Sequence, residues 1–364
     1  MPEVLDLRNQ VEELAAEITA LASRPLRLME VCGTHAHAVA RWGLRQLLPP
    51  QVELLSGPGC PVCVTPSGAI DQALELARRE GVVVATFGDM MLVPGSQGSL
   101  ADLRAQGAQV RVVYSPAQAV DLARQHPERE IVLLGVGFET TAPTMALALL
   151  AARDLANFSL LCMLRLVPPA LRALLASDDT RLDGLLCPGH VSTVIGLAPY
   201  ERLVAEFALP CAVAGFEPHD IMRGLLSLVR QATTGAATVD NQYQRAVRPP
   251  GNPRAQAVIA EVFEPCDAEW RWLGAIPTSG LRLREQYARF DAVRRYELRP
   301  TLGYQHPLCR CGEVLRGVLR PAECAAFGGA CVPEHPLGPC MVSSEGACAA
   351  IFRYESRPAV GSSV

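Results

Sequence analysis

The 364-residue chain contains no lysine: all 33 of its basic residues are arginine. That absence excludes a phosphate-binding loop built on Lys, a Schiff-base lysine and kinase-type lysine chemistry. Aromatic residues are scarce, at 5%, which argues against a platform for stacking nucleic-acid bases. Charge of either sign is not in excess: 33 basic residues stand against 37 acidic ones, a formal net charge of −4. No basic face for nucleic acid or a membrane surface is expected. No run of about 18 uncharged apolar residues occurs, so no spanning helix is expected. The N-terminal stretch is acidic and amphipathic, with no basic start and no apolar stretch after it, and does not read as a signal peptide.

What the chain does have is apolar bulk and cysteine. Half of it is hydrophobic (49%) and only 19% is charged, enough to bury a large core in two or three domains. It carries 13 cysteines. A secreted disulfide framework calls for an even number and usually a shorter chain, so a reducing cytoplasm is expected. There, clustered cysteines are metal ligands or redox thiols.

Up to about residue 230, short continuously apolar runs alternate with amphipathic stretches. Strands are predicted at 27–31, 52–56, 82–86 and 110–114, then at 131–136, 159–164, 182–186 and 212–215. Helical stretches fall at 67–80, 117–125 and 199–207. Apolar strands separated by single helices indicate parallel βαβ units covered on both faces. The predicted fold class is α/β: two similar parallel-sheet α/β domains, 1–115 and 116–232, plus a smaller, irregular cysteine-rich domain, 233–364, in which an iron–sulfur cluster is expected ahead of zinc. In that last part the βα rhythm gives way to proline, glycine and six clustered cysteines. It has little apolar core of its own and needs a staple, which a metal cluster supplies.

In open parallel sheets ligands bind at the carboxyl ends of the strands, and here those ends carry unusual sequences. The first is Glu30-Val31-Cys32-Gly33-Thr34-His35-Ala36-His37. A cysteine just ahead of a helix feels its positive terminus, which lowers the thiol pKa; the bland alternative is a buried structural Cys. The second, Gly57-Pro58-Gly59-Cys60-Pro61-Val62-Cys63, is a C-x-x-C that reads as a dithiol–disulfide couple. The alternatives are half of a zinc site or an inert loop, but no matching second C-x-x-C exists. If the first two strands are neighbours, Cys32 and Cys60/Cys63 share one rim. Two further loops, Gly135-Val136-Gly137-Phe138-Glu139-Thr140-Thr141 and Cys187-Pro188-Gly189-His190-Val191-Ser192, suit an anion at a helix start or ordinary capping. Cys162, Cys211 and Cys266 sit in apolar surroundings and read as inert core residues.

The tail holds Cys309, Cys311, Cys324, Cys331, Cys340 and Cys348. Iron–sulfur clusters take four thiolates and structural zinc takes four Cys or His. Spacing alone puts a cluster ahead of zinc and does not choose four ligands from six. Read from the residues, a redox-active metal-assembly scaffold, a stand-alone iron–sulfur thiol oxidoreductase acting on a small molecule, and a zinc-stapled interaction protein all remain open.

The motifs EVCGTH, GPGCPVC, GFETTAPT and CPGHVS, followed by CRCGEVLRG and the cysteine-rich tail, resemble in that order the HypD family of hydrogenase maturation factors. The resemblance implies a protein that works with a small HypC-like chaperone and a HypE-like cyanide donor, without nucleic acid or membrane. On it, the iron of a NiFe-hydrogenase would receive two cyanides and one carbon monoxide. Carried over by motif, Cys32 would ligate this transient iron and His35 would stand close to it. Cys60 and Cys63 would form the redox pair. A 4Fe-4S cluster would be held by Cys311, Cys324, Cys331 and Cys348, leaving Cys309 and Cys340 as non-ligands. Glu345 would act in electron or proton relay beside the cluster. A short electron path from the cluster through Cys60/Cys63 to iron at Cys32 follows as an expectation, and requires the dithiol and the cluster to lie on one side of the fold.

Overall fold

A computed structural model describes residues 2–177 and 181–355. Its eleven strands are β1 Leu26–Glu30, β2 Val52–Ser56, β3 Val82–Thr86, β4 Val110–Val112, β5 Glu130–Gly137, β6 Phe158–Leu164, β7 Gly184–Pro188, β8 Cys211–Ala214, β9 Val239–Asn241, β10 Phe263–Trp270 and β11 Gly274–Leu283. They form a five-stranded sheet in the order β2-β1-β7-β8-β9, a four-stranded sheet in the order β4-β3-β5-β6, and a separate hairpin of β10 and β11. Every pairing within the two larger sheets is parallel, and the hairpin is antiparallel. β3, β7 and β8 are buried along their whole length, as expected of strands covered on both faces. The α/β class with two parallel sheets and a cysteine-rich region is therefore as the sequence indicated.

The grouping of the strands is not. Two consecutive sets of four, divided near Ser115, were expected. Instead the first sheet takes β1 and β2 from the start of the chain and β7 to β9 from beyond residue 180, while β3 to β6 form the second sheet between them. The reason is physical: an apolar strand followed by one helix looks the same whether the crossover stays in its sheet or leaves it. Ser115 lies just after β4 and caps the helix Pro116–Gln125, within the second unit. The expected third unit, 233–364, is also divided. β9 completes the first sheet, and the hairpin lies against β6, where Leu166 N–H donates to Ser279 O at 2.8 Å.

Three apolar clusters organise the interior. One fills the space between the first sheet's inner face, the second sheet and the cysteine-rich tail, and includes Cys60, Cys63, Cys311, Cys340 and Cys348. The other two lie under the outer helices of each sheet. The tail itself is a string of short helical turns, Cys311–Leu315, Pro339–Val342 and Ala347–Tyr354. Ala347–Tyr354 packs on the helix Gly33–Arg41, and Pro339–Val342 packs on the turn Pro61–Val64. Among the described residues no helix is long and apolar enough to cross a membrane.

Candidate functional site

β1 and β2 are direct neighbours in register, with Glu30 opposite Ser56. Their carboxyl ends therefore run side by side into the Cys32 and Cys60/Cys63 loops. The two loops touch backbone to backbone. Gly33 N–H donates to Gly59 O at 2.8 Å, and a Cβ on Gly59 would stand 2.2 Å from Cys32 N. Only glycine permits that approach. β7 and β8 continue the same rim and bring in His190 and Phe216, whose rings stack at 3.9 Å.

Cys32 caps the helix Gly33–Arg41 and is buried. Its thiol is not activated in the way the helix terminus alone suggests. Burial pushes it up to about 12, and the backbone N–H groups of His35 and Thr34 offset this only in part, while Glu345 and Glu30 push the same way as burial. The expected lowering is thus overturned, because desolvation exceeds the pull of a helix end. Beneath it, Glu30 Oε2 accepts from Cys32 N–H at 3.0 Å. The other carboxylate oxygen of Glu30 has no partner, and burial raises this carboxyl to about 8.

His35 is fully buried. Its Nε2 meets Gly215 O at 2.8 Å; a carbonyl only accepts, so Nε2 carries the proton and Nδ1 is left as an acceptor without a partner. Burial lowers this imidazole to about 4, so it is neutral at pH 7. Glu345 closes the site from the tail. Its Oε1 accepts from Thr34 Oγ1 at 2.7 Å, and a Cβ on Gly33 would stand 2.5 Å from Glu345 Cβ. Burial raises the Glu345 carboxyl. Ser343 anchors the same turn by donating to Asp89 Oδ2 at 2.7 Å.

Cys60 caps the turn Pro61–Val64, and its Sγ accepts from Cys63 N–H at 3.2 Å. Both thiols are buried and free. From Cys63 a line of sulfur contacts runs into the tail. The Cys63 side chain meets that of Cys340, Cys340 meets Cys311, and Cys311 meets Cys348. Cys309 Sγ lies 3.3 Å from Cys311 Sγ. The dithiol and the tail cysteines therefore lie on one side of the fold and in contact.

Five of the six tail cysteines, Cys309, Cys311, Cys324, Cys331 and Cys348, line one small pocket together with Leu308, Phe327 and Met341. Cys340 is outside that lining, between Cys311 and Cys63. Gly338 keeps the pocket open: a Cβ there would stand 2.3 Å from Cys309 Sγ and 3.2 Å from Cys311 Sγ. Among the described residues no three His, Cys, Asp or Glu side chains converge tightly enough for a single ion. Five thiols spread around one pocket suit a polynuclear group better than a lone tetrahedral zinc, whose four ligands meet about 2.3 Å from one point.

Glu139, at the carboxyl end of β5, is not on the Cys32 rim. It accepts from Val167 N–H at 2.9 Å and burial raises it to about 7. Cys187 and Cys211 meet on the adjacent strands β7 and β8, both buried, and burial raises the Cys187 thiol.

A family model for HypD, described as the hydrogenase formation hypA family, matches residues 9–355. The chain belongs to the HypD family. It is 49% identical over 353 residues to the hydrogenase expression/formation protein HupD of Azotobacter chroococcum, covering 94% of this chain and 93% of that protein. It is 49% identical over 355 residues to the hydrogenase maturation factor HypD of Rhizobium leguminosarum, covering 94% and 92%. Against the HypD of Escherichia coli K12 it is 47% identical over 360 residues, covering 98% and 96%. Within this HypD-family fold, two residues near the cysteines had no role assigned from the sequence. Glu30 is the one charged residue at the inner end of β1, and that position was its signal. Arg271, in the hairpin turn, had none, because its neighbours come from distant parts of the chain.

Proposed function

We propose that this chain is a hydrogenase maturation factor on which an iron atom is held at Cys32 while two cyanides and one carbon monoxide are attached. The observation that carries the reading is the meeting, on one side of the fold, of Cys32, the Cys60/Cys63 dithiol and the cysteine pocket.

Cys32 offers iron a single soft thiolate. Among the described residues no group of three donors converges there, which leaves positions for the diatomic ligands and for a partner. That supports a small HypC-like chaperone contributing a thiolate, with a HypE-like protein delivering the cyanide group. Buried beside Glu30 and Glu345, the Cys32 thiol keeps its proton until a cation replaces it, so iron binding and proton release are coupled. Glu345, bonded to Thr34 over the Cys32 loop, holds the tail against the site and is placed to take that proton. His35, neutral and fixed by Gly215, presents an unprotonated Nδ1 inside the same rim.

Cys60 and Cys63 give up two electrons and two protons when they close to a disulfide, which suits reductive release of a cyano group. The thiols of the pocket fit a 4Fe-4S cluster: four of Cys309, Cys311, Cys324, Cys331 and Cys348 would hold it. When bound, such a cluster supplies electrons one at a time. Cys340 is then the thiol between the pocket and the dithiol.

The test is chemical analysis of the chain purified without oxygen. Roughly four iron atoms and four sulfides per chain are expected for the cluster. Cys32→Ala should keep them and lose only the additional iron. Zinc without sulfide would contradict the reading. Loss of the cluster in a folded Cys32→Ala protein would contradict the separation of the two iron sites.

A further inference from the structure

The turn between β10 and β11 carries Arg271, which is 2% exposed. Its Nε and Nη1 donors have no hydrogen-bond partner. A buried guanidinium with idle donors is costly unless an anion meets it. The groups whose ionised form would meet its charge are the thiols of Cys309, Cys311, Cys340 and Cys63.

The backbone explains why the side chain is there. Arg271 N–H donates to Val64 O at 2.8 Å, which ties the turn to the residue after Cys63. On the other side a Cβ on Gly312 would stand 2.6 Å from Trp272 Cβ, which ties the turn to the residue after Cys311. Trp272 is held at φ 73°, a left-handed conformation that a tryptophan adopts only when its surroundings impose it. Arg271 is thus wedged between Cys63 and Cys311, the gap that Cys340 bridges with sulfur.

We propose that Arg271 is the fixed counter-charge of the cysteine pocket, donating its idle N–H groups to anionic sulfur and setting the reduction potential of the group held there. The proposal rests on the iron–sulfur reading above. Neutral thiols give the guanidinium no counter-ion, whereas four metal-bound thiolates do. Net charge and hydrogen bonds to sulfur are among the factors that tune the potential of such a group. A fixed cation favours the reduced, more negative state, so removing it lowers the potential.

The experiment is a potentiometric titration of the full chain, loaded and handled without oxygen, as wild type, Arg271→Gln and Arg271→Lys, read by the visible absorbance and electron paramagnetic resonance of the cluster. Arg271→Gln is expected to lower the reduced-to-oxidised ratio at fixed potential by about tenfold, which is 59 mV for a one-electron couple. Arg271→Lys keeps the charge and should titrate close to wild type; a purely structural role would not be rescued by charge in this way. A loaded Arg271→Gln protein with the wild-type potential overturns the proposal. Should Arg271→Gln not load, the Lys variant decides: a wild-type potential supports the counter-charge, and a shifted potential or an empty pocket refutes it. A wild-type chain without iron and sulfide overturns the cluster reading itself, and this role with it.

Discussion

Gly59 is the position where one methyl group would do most damage to the site. A Cβ there would lie 2.2 Å from Cys32 N, 2.4 Å from Cys32 Cα and 2.4 Å from Val31 C. These are backbone atoms of a buried loop and cannot rotate away, so Gly59→Ala forces the β1 and β2 loops apart. Overpacking of this kind costs about 1–3 kcal/mol. The parting also strands Gly33 N–H, whose acceptor is Gly59 O, for about 1–3 kcal/mol more. The combined loss, about 4 kcal/mol, is within the usual stability of a folded protein. It corresponds to a fall of roughly 5 °C in Tm for a chain this long. Gly329→Ala is the control, since nothing lies within 4 Å of its Cβ and its φ is not left-handed; a change within about 0.5 kcal/mol is expected there. Thermal unfolding of the two variants beside wild type is the assay, with iron content measured on the same samples. A Gly59→Ala protein as stable as Gly329→Ala, with wild-type iron at Cys32, would refute the close-approach argument.

Five other substitutions probe three separate parts of the structure. Burial holds the Glu139 carboxyl at about 7, against an ordinary value of 4.5, so its contribution is fully present below 4.5 and is lost as pH rises through 7. Glu139→Gln does not titrate, and its stability relative to wild type should rise by about 2.5 kcal/mol between pH 5 and pH 8 in denaturant titrations; a difference that ignores pH would refute the burial of that charge. Cys340→Ser should retain the iron and sulfide proposed for the pocket, because Cys340 does not line it, while Cys324→Ser and Cys331→Ser should lose them; equal loss in all three would place Cys340 among the ligands. Gly338→Ala directs a methyl group at Cys309 Sγ and should reduce iron and sulfide content several-fold while leaving Cys32 reactivity unchanged.

Much of the site was legible because chemistry sits where strands end. Cys32 and Cys60 each follow an apolar run that stops within a few residues, and the pairing of β1 with β2 turns that pattern into a shared rim. The strands themselves were legible from their apolar continuity, but their partition between sheets was not, since β2 and β3 are consecutive in the chain and belong to different sheets. The state of the Cys32 thiol was misread because the helix following it is visible in the sequence, whereas burial and the approach of Glu345 are tertiary facts. The hairpin of β10 and β11 went unseen because Pro265, Asp267 and Pro277 interrupt any strand pattern, and its turn depends on a left-handed Trp272. The position of Cys340 between Cys311 and Cys63 depends on the turn Pro339–Val342 docking on Pro61–Val64, which no spacing rule encodes.

The central claim is that Cys32 holds the iron on which cyanide and carbon monoxide are assembled. The most direct measurement is an infrared spectrum of the chain, purified without oxygen after co-expression with a HypC-like protein, compared with the Cys32→Ser variant. The expected result is a set of sharp bands from metal-bound cyanide and carbonyl that vanish in Cys32→Ser while the cluster's iron and sulfide remain. A chain with a full complement of iron and sulfide but no such bands would contradict the claim. It would move the chemistry to Cys60 and Cys63, as the centre of a stand-alone thiol–cluster oxidoreductase.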